Sequence, residues 1–462
     1  MKYILSRSFA LRGWQRLPYA LVELKSNDVT FLSRDRFLLL FHCDGEYAFS
    51  DAALNEVQRR MLNEYIDSGV VSECTEKCTL EERQRYRQYP ARFKESAQWS
   101  VTGNCNLRCR HCFMSAPGGA LGELGYGDCL KIIDQLAECG VGKVSLTGGE
   151  PLVRRDFWKI VDALCEKNIK LTTLFTNGML VNDALLDGFE ARGIHPQLQI
   201  SFDGAGCHDW LRGLEGAERR VIEAFQICRD RGFKTSAAMC LNRRNAGTLR
   251  ESVQLLAQLG CSGLKVNNTS PAGEWLNERS EYLDDDECFG IYMKYIPVFF
   301  AEGAPMSLML DGMFAYMKDE KKCFVPFEHN CAEGGEAHQL LCAHIRRELY
   351  ISPQGNILPC MSMAGTAIEK QFPNLFQIPL REILSNSEYM RYADRRLDAY
   401  LQHNAKCRSC MYRLRCCGGC RASASGSAGE DYLAPDLRAC GFFQNGWADA
   451  IKEYFDTTND KP

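Results

Sequence analysis

The chain has 462 residues, with 55 basic and 59 acidic side chains, a net charge of −4 and 45% hydrophobic content. That length predicts two or more domains, and the near-neutral balance leaves no electrostatic footprint for nucleic acid. No apolar run reaches the roughly eighteen residues of a membrane span, and no signal peptide opens the chain, so its 24 cysteines are expected as reduced thiols in the cytosol.

Residues 1–80 form a zone of their own. Tyr19 to Leu24, Val29 to Leu32 and Arg36 to Phe41 read as short strands, and Asp51 to Ser68 reads as a helix capped by Ser50 or Asp51. Three strands followed by helices resemble the small PqqD-like winged-helix modules that bind leader peptides in ribosomal peptide pathways. Such modules pair an extended peptide with an open sheet edge. A structural cap on the next domain, or a winged helix of other purpose, is the alternative. Thr79 to Lys94, rich in Glu, Arg and Tyr, reads as a charged linking helix over residues 81–95.

Cys105, Cys109 and Cys112 follow, with gaps of three and two residues. Three thiolates on one tight loop suit a cubane 4Fe–4S cluster with one iron left open to a ligand. A zinc knuckle built from Cys105, Cys109, His111 and Cys112 is the competing reading. The C-x3-C-x2-C loop, with Phe113 after it, resembles that of the radical SAM enzymes, in which S-adenosyl-L-methionine chelates the open iron.

Helical and strand patterns then alternate. Leu130 to Glu138, Phe157 to Glu166, Ala184 to Ala191, Arg219 to Asp230 and Thr248 to Leu259 read as helices. Lys143 to Leu146, Lys170 to Phe175, Gln197 to Phe202, Phe233 to Cys240 and Gly263 to Val266 read as the intervening strands. Repeated strand-helix units predict an α/β parallel sheet with helices outside it, and ligands bind at the carboxyl ends of such strands. Cys129, Cys139, Cys165 and Cys228 in the helical patterns are expected as ordinary buried thiols.

The rim residues carry the next signals. Gly148, Gly149, Glu150 and Pro151 match the family's Gly-Gly-Glu-Pro segment, which implies that Glu150 receives the methionine ammonium of the cofactor. A plain glycine turn before a helix is the alternative. Asn177, Ser201 and Asp203 put short polar side chains at the same rim. Arg212, in His208-Asp209-Trp210-Leu211-Arg212-Gly213, implies by the same resemblance a partner for the cofactor's carboxylate. Asp209 and Arg212 also suit a role capping or bracing a helix. Asn267, Asn268, Pro271, Gly273 and Glu274 follow the last clear strand and are candidates to touch substrate. Asp284 to Asp286 are expected to cap a helix through Tyr292 to Phe300.

Seven more cysteines recur in the last third. Cys342, twelve residues, Gly355, four residues, Cys360, then Cys407-x2-Cys410-x5-Cys416-x3-Cys420 and, nineteen residues on, Cys440 match the SPASM extension of peptide-modifying radical SAM enzymes. The resemblance implies an outer auxiliary cluster on Cys407, Cys410, Cys416 and Cys440, and an inner one on Cys342, Cys360 and Cys420. Cys331 is the favoured fourth inner ligand, with Cys323 behind it, and an open iron remains the alternative. A zinc ribbon of Cys407, Cys410, Cys416 and Cys420 competes with this reading, and Cys417 fits no position.

The expected architecture is therefore a partial (β/α)6 TIM-like barrel over 96–320, with a winged-helix-like module before it and a cysteine-rich cluster domain over 321–462. The resemblance implies a maturase with three 4Fe–4S clusters and S-adenosyl-L-methionine. It would generate a 5′-deoxyadenosyl radical, abstract hydrogen from a precursor peptide carrying a leader sequence, and close a cross-link, a thioether first. Carbon-carbon linkage, epimerisation and formylglycine formation in sulfatases are the alternative reactions, and an iron–sulfur electron carrier or redox regulator is the non-enzymatic one. A flavodoxin- or ferredoxin-type donor supplies electrons, and neither membrane nor nucleic acid is a partner. Asp311, Glu333 and Glu336 lie near the cluster region in sequence, yet no residue declares itself the acid or base.

Overall fold

The computed structural model describes residues 1–49, 54–74, 78–114, 119, 121–269, 273–427 and 431–458. Its centre is an eleven-stranded sheet. Strands Ser96–Thr102, Lys143–Gly148, Lys170–Thr176, Gln197–Ser201, Thr235–Leu241 and Gly263–Asn268 run parallel in that order, and Ser307–Leu310 continues them. The expected six-stranded partial barrel is thus present, its helices arising where sequence periodicity placed them. In Tyr126–Glu138 the buried positions are Cys129, Ile132, Ile133 and Leu136, one stripe of a 3.6-residue helix. Phe157, Ile160, Val161 and Leu164 form the corresponding stripe of Phe157–Glu166. Cys129, Cys139 and Cys228 are buried as expected, whereas Cys165 is exposed because it lies off that stripe.

Asp284 caps Asp285–Ala301 through a capping box with Glu287. The segment after it contains more order than its composition suggested: Phe314–Met317 and Lys322–Phe324 extend the sheet as antiparallel strands. At the opposite edge Glu348–Ile351, from the cysteine-rich region, pairs in parallel with Ser96–Thr102. The last third of the chain therefore shares the barrel's sheet, and the hydroxyls of Ser100 and Tyr350 meet at 2.6 Å across that seam.

The amino-terminal module departs from expectation in three places. Leu17–Glu23 and Val29–Phe31 are strands, but Arg34–Phe41 is a helix, capped by the Ser33 side chain on the Arg36 amide and burying Phe37, Leu39 and Leu40. A run of consecutive apolar residues is compatible with either state, and the cap decides it. The second helix, Glu56–Asp67, starts at Asn55 with a capping box to Gln58. Ser50 and Asp51 lie outside the described residues. Residues 81–95 form no linking helix. A single 3-10 turn, Glu82–Gln84, leads to strand Arg87–Arg92, which adds in parallel to Phe9–Gln15. Pro90 disfavours helix there, and buried Gln84 ties the turn to the Leu5 and Ser6 carbonyls at 3.0 Å.

The module docks on the barrel's amino-terminal face. Trp14 Nε1 donates to the Cys139 carbonyl at 3.0 Å, and Asn27 Nδ2 donates to the Gly142 and Asn168 carbonyls at 2.8 Å. Beside this seam Lys94 is buried, donating to the Ile345 carbonyl and lying 4.9 Å over the Tyr389 ring. Burial pushes its ammonium down to about 7. An unfolded lysine holds its proton to about 10.4, so between those values the unfolded chain binds the proton more tightly and stability rises with pH. The denaturation midpoint of the wild type relative to that of Lys94→Met should therefore increase from neutral pH toward pH ~10.

Candidate active site

The loop that carries Cys105, Cys109 and Cys112 springs from the end of Ser96–Thr102, and all three thiols are half-buried. Its start is fixed by backbone contacts with the next strand. The Gly149 amide donates to the Thr102 carbonyl at 2.9 Å and the Glu150 amide to the Asn104 carbonyl at 2.8 Å. A Cβ on Gly149 would lie 2.2 Å from the Asn104 oxygen, and one on Gly148 (φ 146°) 2.4 Å from the Thr102 oxygen. The two glycines are required because the cysteine loop's own main chain crosses them.

Glu150 is fully buried and accepts from the Asn177 amide at 2.7 Å, the Thr176 hydroxyl at 3.0 Å and the Leu152 amide at 3.2 Å. Burial outweighs these donors and raises its carboxyl to about 7. Pro151 opens the 3-10 turn that turns this segment away from the rim. Asn177 then reaches back to the cysteine loop, donating to Asn106 Oδ1 at 2.7 Å with its amide nitrogen 3.8 Å from Cys105 Sγ.

On the other side Asp203, also fully buried, takes Arg212 Nε at 2.6 Å and the Cys240 amide at 3.0 Å. Burial alone would raise this carboxyl, but Arg212, His208 and His111 hold it well below its usual range. Arg212 Nη1 lies 3.6 Å from Cys109 Sγ. The arginine expected to meet a cofactor carboxylate is therefore anchored on Asp203 and on a loop thiol. His111 faces this group, with its ligand nitrogen within 4.8 Å of Asp203 and Cys240 ligand atoms. Burial and the Arg212 charge push it down to about 4, so the imidazole is neutral. That orientation favours a three-thiol site over a knuckle with His111 as fourth ligand.

Ser201 is half-buried at the end of its strand. Asp209 has the bracing role: its oxygens accept the Gly216 and Glu218 amides at 2.7 Å, fixing the start of Ala217–Asp230. Glu274 reaches the cysteine loop through its amide, 3.0 Å from the Cys112 carbonyl, and Asn268 binds Asp285 at 2.9 Å. Pro271 lies outside the described residues. Asp311 sits past Ser307–Leu310 on the same rim, held by Arg438 at 2.5 Å, while Glu333 is exposed. Asn106 and Asn245 were missed by sequence reasoning. Buried Asn245 supports the Asp203 and Cys240 carbonyls at 2.9 Å, a role no local motif announces.

The carboxyl-terminal cysteines fall into two groups. Cys407, Cys410, Cys416 and Cys440 line one pocket with Tyr400 and Asp436. The Tyr400 hydroxyl is 3.3 Å from Cys407 Sγ. Cys342, Cys360 and Cys420 lie close enough for Cys360 and Cys420 each to feel the charge of Cys342. Asp436 links the groups by accepting from the Cys420 and Arg438 amides at 2.7 and 3.1 Å. Cys331 lies against Cys417, and its amide donates to the Leu414 carbonyl at 2.9 Å.

The radical SAM superfamily model matches residues 99–256, and that of the SPASM iron–sulfur cluster-binding domain matches 342–411. The AdoMet-dependent heme synthase of Methanosarcina barkeri is 27% identical over 343 residues, 72% of this chain and 93% of that protein. The PqqA peptide cyclase of Granulibacter bethesdensis is 27% identical over 336 residues, 71% and 83% of the two chains. Among solved structures, Streptococcus suis SuiB bound to precursor peptide SuiA superposes with a TM-score of 0.64 at 16% identity, over 95% of this chain and 99% of that one, which establishes a common fold.

Gly149→Ala should displace the cysteine loop. After iron and sulfide reconstitution we expect roughly tenfold weaker iron retention at this loop, read by iron analysis and electron paramagnetic resonance, with the carboxyl-terminal sites unaffected.

Proposed function

We propose that this chain, a radical SAM enzyme with a carboxyl-terminal SPASM domain, matures a ribosomally made precursor peptide by installing an intramolecular cross-link, a thioether first. The carrying observation is the convergence on one rim of three half-buried thiols with Glu150, Asn177 and the Asp203–Arg212 pair. A loop offering three thiols and no fourth ligand suits a cluster with one open corner. Cys105, Cys109 and Cys112 would hold it; Cys407, Cys410, Cys416 and Cys440 would hold an outer cluster, and Cys342, Cys360 and Cys420 an inner one.

When bound, the first cluster and S-adenosyl-L-methionine supply a 5′-deoxyadenosyl radical that takes a hydrogen atom from the substrate. This chain's residues position and shield that chemistry. Glu150 offers a carboxylate at the rim for an ammonium, Gly148 and Gly149 let the loop close over it, and Arg212 brings a fixed positive charge to Cys109. Closing a bond between two substrate atoms releases a second hydrogen as a proton and an electron, and Cys342, Cys360, Cys407, Cys410, Cys416, Cys420 and Cys440 would hold groups able to accept that electron. Cys342, Cys360 and Cys420 would supply the inner cluster with only three thiolates, a donor set that would admit a substrate thiolate and favours the thioether.

The amino-terminal sheet supports a peptide substrate. Val29–Phe31 is one edge strand of its four-stranded sheet, with Phe31 exposed, and an edge strand can take an extended leader by main-chain pairing. The relative named as a peptide cyclase and the fold shared with a precursor-bound enzyme point the same way. A flavodoxin- or ferredoxin-type protein of the cytosol would be the electron donor. Among the described residues no helix is long and apolar enough to cross a membrane.

Reconstituted enzyme, incubated anaerobically with S-adenosyl-L-methionine, reductant and a cysteine-containing candidate precursor peptide, should remove two hydrogens per link, seen by mass spectrometry. The product should resist thiol alkylation at the linked residue, and Cys105→Ala should abolish it. A link that leaves every thiol free would replace the thioether by a carbon-carbon bond. Deuterium uptake without mass loss would replace both by epimerisation. Formation of 5′-deoxyadenosine with an unaltered peptide would remove the peptide reading.

A further inference from the structure

Three buried tyrosines lie within electrostatic reach of the inner cysteine group. Tyr350 lies by Cys360, Tyr389 by Cys360 and Cys342, and Tyr392 by Cys360, Cys420 and Cys342. Two of their hydroxyls have partners. Tyr350 meets the Ser100 hydroxyl at 2.6 Å, and Tyr389 donates to the Ile345 carbonyl at 3.5 Å. The Tyr392 hydroxyl is buried with no hydrogen-bond partner among the described residues.

Buried hydroxyls are almost always paired, and this one has little freedom to find a partner elsewhere. Tyr392 stands on Glu388–Ala393, a helix capped by Ser387, and its ring is packed against Phe372 at 5.5 Å and Tyr432 at 4.4 Å. Of the charged groups that face it, Arg421 offers only donors and cannot accept from the hydroxyl; its Nη1 and Nη2 reach the carbonyls of Tyr432, Ala434 and Gly418, and its Nε has no partner among the described residues. The remaining facing groups are the sulfurs of Cys360, Cys420 and Cys342. Cys331, the cysteine expected to complete the set, lies against Cys417.

We propose that Tyr392 serves the inner 4Fe–4S cluster as a hydrogen-bond donor to a cluster sulfur, and that it does not ligate iron. This rests on the reading of Cys342, Cys360 and Cys420 as cluster ligands. One iron is then left without a protein ligand, while the side of the cluster toward Tyr392 is closed by a phenol. A hydrogen bond to sulfur favours the more negatively charged reduced cluster and so raises its reduction potential, which suits a group that accepts an electron from substrate.

The test compares full-length reconstituted wild type, Tyr392→Phe and Tyr389→Phe by iron and sulfide analysis and by potentiometric titration followed with electron paramagnetic resonance. Both variants keep the aromatic packing. We expect unchanged metal content in all three, one auxiliary midpoint moved to a more negative potential in Tyr392→Phe, and no midpoint moved in Tyr389→Phe. Unmoved midpoints in Tyr392→Phe at full metal content would overturn the proposal. Loss of one cluster's worth of iron in that variant would also overturn it, by making Tyr392 a ligand. A wild type whose only signal disappears in Cys105→Ala would overturn the cluster reading itself, and the proposal with it, before any tyrosine is changed.

Discussion

The Asp203–Arg212 pair is the constraint on which the rim depends. Both groups are buried, and a buried ion pair is tolerable only when each partner's remaining hydrogen-bonding capacity is met. Asp203 meets this with the Cys240 amide and Arg212 with the Cys109 sulfur, so the pair ties two strand ends to the cysteine loop. Asn245 then supports the carbonyls on either side. Removing one partner would leave a charge with no solvent to receive it, and the loop, the strand ends and the following helix would all lose their common anchor.

On the opposite side the same loop is held with no ion pair at all. There the main chain of Gly149 lies too close to Asn104 for any side chain, and Asn177 spans from the Glu150 carboxylate to Asn106. One flank of the loop is thus positioned by charge and the other by the absence of side-chain volume. This explains how a segment with little regular structure presents three thiols in a defined arrangement.

Much of this was legible in the sequence because ligand sets and close approaches demand particular residues at particular spacings. The Cys105–Cys109–Cys112 gaps, the Gly148-Gly149-Glu150 run and the helical stripes of the barrel are local patterns. What escaped depends on partners far along the chain. The reach of Arg212 to Cys109 spans 103 residues, a contact beyond any local motif. Residues 81–95 were read as helix from composition, while a strand on the far side of the module, Phe9–Gln15, recruits Arg87–Arg92 into its sheet. Arg34–Phe41 has an apolar run that alternation cannot classify, and only its Ser33 cap settles it. Cys331, favoured as the fourth inner ligand for its place upstream of Cys342, lies against Cys417, the cysteine without a place in the pattern.

The parallel pairing of Glu348–Ile351 with Ser96–Thr102 makes the cysteine-rich third a stave of the barrel. A chain cut before this strand would expose the full hydrogen-bonding edge of the strand that carries the cysteine loop, an invitation to intermolecular pairing. The two regions are therefore obliged to fold together, and evolution can exchange neither without preserving the register between them. Modularity in the order of sequence motifs is not modularity in space.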